Sequence, residues 1–79
     1  MNDPTRPVTS AARMSVYHQL NPLTRITESQ LFALINASSC VLDHDRYGGH
    51  ETARLVLETV ASPAVALAAV RTLEGDEIG

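Results

Sequence analysis

Residues 27–42, TESQLFALINASSCVL, carry the clearest helix signal in the chain. The first four residues fit a capping box, in which the Thr27 hydroxyl accepts from the Gln30 amide and the Gln30 side chain reaches back. Glu28 places a negative charge at the positive end of the helix dipole. We therefore predict that a helix begins directly after Thr27.

This helix has two apolar faces of different kinds. Its large-residue face recurs at i, i+3, i+4, i+7 and i+11, as one side of a helix does, and consists of Leu31, Leu34, Ile35, Ser38 and Leu42. A stripe of small residues lies beside it, at Ala33, Ala37 and Cys40. A helix with two such faces can contact two neighbours, so we interpret Cys40 as a packing residue rather than a nucleophile.

Two further helices are predicted around this one. The first begins at Thr9 or Ser10, both good N-caps, and stops at Asn21-Pro22, because the residue before a proline avoids the α region. The next runs from about His50 to Ala61, after the Gly48-Gly49 breaker. A strand over residues 55–60 is an alternative, but the alanine-rich flanks favour a helix.

A fourth apolar stretch, Pro63–Leu73, follows the capping pair Ser62-Pro63 and ends before Gly75. It forms either a separate helix or the end of one long kinked helix. It has apolar residues on all sides, so something must cover it. We expect it to contribute to a homodimer or partner interface; the alternative is a central place in the monomer core. The predicted interface residues are Val65, Leu67, Val70, Leu73, Phe32, Arg46 and Tyr47.

Together these segments predict an all-α domain of three to four short helices in a small bundle, which we expect to be homodimeric. Residues 1–8 are expected to form a flexible tail, residues 9–75 a single helical domain, and residues 76–79 a frayed tail. The chain has 79 residues and one cysteine. An intrachain disulfide is therefore excluded, and helix packing or self-association must stabilise the fold.

Composition narrows the class of partner. The formal net charge is −3, and the six basic residues are all arginines scattered along the chain. Phosphate binding needs a basic surface, so we expect no direct contact with nucleic acid. No apolar run is long enough to cross a bilayer, and no signal peptide is apparent. We therefore expect a cytoplasmic protein that does not bind membranes.

The densest polar cluster is Asp43-His44-Asp45, followed by His50 and Glu51. Carboxylates and imidazoles ligate metals and transfer protons, but the spacing matches neither an EF-hand nor an HExxH motif. Gly48-Gly49 lacks the context of a phosphate loop. We interpret the cluster as a solvated loop and predict no catalytic residue, metal or cofactor.

Residues 33–42, ALINASSCVL, are similar to the "AL-x-x-AS-x-x-LL" helix of some uncharacterised small helical proteins of Gram-negative bacteria. The chain lacks the aromatic residue that those proteins often carry in their third helix. The resemblance implies a helical hairpin and brings no function with it.

The leading functional hypothesis is a small non-enzymatic regulator or inhibitor that covers a surface on a larger bacterial partner protein, as phage-encoded antagonists and anti-activators do. One alternative is an accessory transcriptional or nucleic-acid-associated regulator. A second is a metal- or ligand-binding enzyme that uses the loop from Asp43 to His50. The first hypothesis rests on an analogy of size and charge. Arg46 and Tyr47 are residue types enriched in binding hot spots, so they are candidate partner contacts; the alternative is that they are solvated loop residues.

Overall fold

The computed structural model describes residues 7–45 and 47–75. Four α-helices and a short 3₁₀ turn follow one another, and the described residues contain no strand. The helices are α1 (Ser10–Leu20), α2 (Glu28–His44), α3 (Gly48–Leu57) and α4 (Pro63–Leu73), and the 3₁₀ turn is Asn21–Leu23. The predicted all-α bundle is confirmed. None of the described helices has the length and hydropathy needed to span a bilayer.

Helix α2 begins as its sequence predicts. The Gln30 amide donates to the Thr27 hydroxyl at 3.1 Å, and the Thr27 amide donates to the Gln30 side chain at 3.1 Å. The predicted large-residue face points into the core, where four of its members are fully buried: Leu31, Ile35, Ser38 and Leu42. The Ser38 hydroxyl donates to the carbonyl oxygen of Leu34 at 3.0 Å, so this polar group is buried at little cost.

Helix α1 runs antiparallel to α2 and is tied to it at both ends. The Val8 amide donates to the Asp43 carboxylate at 2.8 Å, and the Tyr17 hydroxyl donates to Glu28 at 3.1 Å. Val8 is also buried in the core. Val8 is therefore packed against the domain and does not belong to the predicted flexible tail of residues 1–8; residues 1–6 and 76–79 lie outside the described residues.

Helix α1 ends at Asn21-Pro22 as predicted, with Leu20 its last residue and Asn21 its C-cap, but the expected backbone change before the proline is absent. Asn21, directly before Pro22, keeps right-handed helical angles (φ −53°, ψ −47°) instead of turning extended. Pro22 occupies one of the first positions of the 3₁₀ turn, where its missing N–H costs no hydrogen bond. The backbone becomes extended only at Thr24 (φ −117°, ψ 163°).

Helix α3 begins and ends earlier than the predicted range of His50 to Ala61. It starts at Gly48 because the Asp45 carboxylate accepts the amides of Tyr47 and Gly48, at 3.2 and 3.0 Å. It ends at Leu57, and residues 58–60 form a turn before the bend at Ala61. Helices α3 and α4 are therefore separate, with extended Ser62 (φ −67°, ψ 159°) as the N-cap of α4.

Helix α4 is covered mainly by the chain's own helices, since it packs against both α1 and α3. Four of its apolar side chains are core residues: Ala66, Ala69, Val70 and Leu73. Only a narrow strip containing Ala64, Ala68 and Arg71 is exposed. The chain's own helices therefore cover most of α4, and covering it does not require a second chain. The expectation of a homodimer stays a prediction.

Gly49 sets how closely α3 approaches α2. A Cβ atom at this position would lie 2.6 Å from the carbonyl oxygen of Val41, a backbone atom that cannot rotate away. At Gly48 a Cβ atom would instead meet the Asp45 carboxylate, which is the end of a side chain. Gly49 is therefore a packing glycine, a role that its place in a Gly-Gly pair does not reveal.

We predict that Gly49→Ala destabilises the domain by about 1–3 kcal/mol, the usual cost of overpacking, partly offset by the higher helix propensity of alanine. Gly48→Ala is the matched control and should cost less, because its Cβ would meet Oδ2 at the end of the Asp45 side chain, whereas the Tyr47 and Gly48 amides donate to Oδ1. Urea denaturation followed by circular dichroism measures both free energies of unfolding. Equal values for the two variants would contradict the close approach at Gly49.

Candidate interaction surface

Large exposed apolar side chains mark the surfaces available to a partner. Four such side chains lie among the described residues: Met14, Leu23, Tyr47 and Leu55. Tyr47 is the most exposed of them, at 90 %, and it stands at the corner where α2 turns into α3. An aromatic side chain so exposed contributes little burial of apolar surface to the stability of its own domain.

A groove lies beside Tyr47, between the end of α2 and the beginning of α3. We call it the corner groove; it has a volume of about 430 Å³ and is lined by Cys40, Val41, His44, Asp45, Gly48, Gly49 and Thr52. Most of these residues have small side chains or none. The groove is shallow and open, and backbone atoms contribute to its floor through the glycine pair.

The turn that carries Tyr47 is held by Asp45. Besides its two carboxylate contacts to the amides of Tyr47 and Gly48, its carbonyl oxygen accepts the Gly49 amide at 2.7 Å. These three hydrogen bonds link Tyr47, Gly48 and Gly49 to Asp45. Arg46, which the sequence analysis paired with Tyr47, lies outside the described residues.

The small-residue stripe of α2 is open to solvent. Ala33, Ala37 and Cys40 are all exposed, so no second neighbour of the described chain covers them. The interpretation of Cys40 as a packing residue is therefore wrong: its thiol is exposed and lines the corner groove. The helices α1 and α3 pack on the two flanks of α2 and leave this outer stripe between them.

The predicted interface residues of α4 divide into two groups. Val70 and Leu73 lie inside the core and have almost no surface for a partner. Val65 and Leu67 are half-buried, and Val65 lines a second groove of about 520 Å³ together with Leu23. This lateral groove lies between the 3₁₀ turn and the α3–α4 turn and shares no lining residue with the corner groove.

Phe32 is half-buried and stacks on Tyr17, with ring centroids 4.5 Å apart and planes 4° apart. His18 meets the edge of Tyr17 at 5.5 Å. Partial burial raises the pKa of Tyr17 above 10.0, and the hydrogen bond to Glu28 and the charge of that carboxylate raise it further. Phe32 thus serves the contact between α1 and α2.

The polar side chains from Asp43 to Glu51 do not come together in one site. Asp43 binds the Val8 amide, Asp45 holds the α3 turn, and Glu51 pairs with Arg54 at 3.0 Å. Within residues 7–45 and 47–75, no three acidic, histidine or cysteine side chains come together as metal ligands do. The metal-enzyme hypothesis therefore finds no support among the described residues.

One interhelical contact of this region was missed by the sequence analysis. Nδ1 of His50 lies 2.9 Å from the Glu74 carboxylate and links the beginning of α3 to the end of α4. The two residues are 24 positions apart in the sequence, so no local spacing predicts the pair. Arg54 pairs with Glu51 and Glu58, which are three positions before it and four after it on α3.

No protein-family model, curated protein or solved structure matches this chain.

We predict that Glu28→Gln lowers the pKa of Tyr17, because it removes the negative charge beside the phenol. In a Tyr47→Phe background Tyr17 is the last tyrosine, so an ultraviolet titration follows it alone. Because the pKa is raised in the folded state, the stabilising contribution is present below pH 10 and is lost as pH rises through the folded pKa. Glu51→Gln is the control. Equal effects of the two variants would contradict the contact.

Proposed function

We propose that this chain is a small non-enzymatic protein-binding regulator or inhibitor, which acts by covering a surface on a larger bacterial partner. The corner groove and Tyr47 form the contact surface. The observation that carries the proposal is the 90 % exposure of Tyr47, whose amide donates to Asp45 and whose neighbour Gly48 lines the corner groove. An exposed aromatic residue is of the type that dominates binding energy in protein interfaces.

The surrounding residues support a binding role. Tyrosine contributes a large contact area at a small cost in conformational entropy, since it has two side-chain torsions. The neighbouring Cys40, Gly48 and Thr52 are small and exposed, so a partner can approach the backbone closely. The polar groups of the same region already serve the fold, because Asp43 and Asp45 accept backbone amides.

The size of the chain suits a surface-covering role. A standard interface removes about 800 Å² from each partner, which is about a sixth of the 4972 Å² accessible surface of this chain. One face can therefore be committed to a partner while the opposite faces keep the molecule dissolved. The homodimer expectation forms no part of the proposal, because its premise, an uncovered α4, no longer holds.

We predict that Tyr47→Ala abolishes retention of a specific protein partner. The wild-type chain, immobilised at high density, is exposed to a lysate of the cells that encode it, and bound proteins are identified by mass spectrometry. Loss of a hot-spot side chain costs about 2 kcal/mol or more, so the affinity for the partner should fall at least roughly thirtyfold and the partner should be lost when the resin is washed.

Met14→Ala is the matched control, since Met14 is also an exposed large apolar residue but lies on α1. It should retain the partner like the wild type. A partner held equally by the wild type and Tyr47→Ala contradicts the proposed contact surface. A wild-type chain that retains no specific protein contradicts the proposed function itself.

A further inference from the structure

We draw no further inference here: the strongest candidate, the lateral groove between the 3₁₀ turn and the α3–α4 turn, where the Leu23 side chain is exposed beside Val65, is an unpartnered apolar surface, and nothing in the structure shows what covers it.

Discussion

The close approach of Gly49 to the Val41 carbonyl is the constraint on which the rest of this structure depends. Only a residue without a side chain allows the two backbones to come together there, since a Cβ would lie 2.6 Å from the oxygen. The approach fixes the beginning of α3 against the end of α2. At the same end of α3 the Asp45 carboxylate accepts the amides of Tyr47 and Gly48, and the Tyr47 side chain is exposed. The proposed binding residue therefore lies two positions from the contact that sets the packing of α3.

The position of α3 also determines how α4 is covered. Because α3 packs on α2, the side chains of Ala53 and Leu57 lie in the core together with the apolar face of α4. Helix α1 covers α4 from another side, where Gln19 donates to the Thr72 hydroxyl at 3.0 Å. A domain of this length without a disulfide must rely on such packing. The result is a covered α4, and the exposed apolar groups lie instead at the corner and the lateral groove.

The sequence predicted those features that depend on neighbours along the chain. The capping box at Thr27, the caps at Thr9 and Ser62, the arginine pairs on α3 and the end of α4 at Gly75 are all local signals, and all are present. The features it missed join distant positions. Val8 binds Asp43 across 35 residues and His50 meets Glu74 across 24. Such contacts depend on how the helices pack, which a periodic pattern does not specify.

The same reasoning explains the two errors about exposure. The sequence shows that α4 has no polar face, but how many helices surround it is a property of the packed bundle. It shows a small-residue stripe on α2, but only the arrangement of α1 and α3 on the two flanks leaves Cys40 exposed. Of the candidate site, Tyr47 was found by its residue type, whereas the groove beside it arises from tertiary contacts alone.

The central claim is that the backbone of α3 at Gly49, which has no side chain, packs directly against Val41 of α2. A nuclear Overhauser experiment on the isotope-labelled chain measures this directly, through the cross-peak between the Gly49 α-protons and the Val41 methyl groups. A strong cross-peak is expected, since a Cβ at Gly49 would lie 3.1 Å from a Val41 methyl carbon. A spectrum in which the Gly49 α-protons contact only their sequence neighbours would contradict the account.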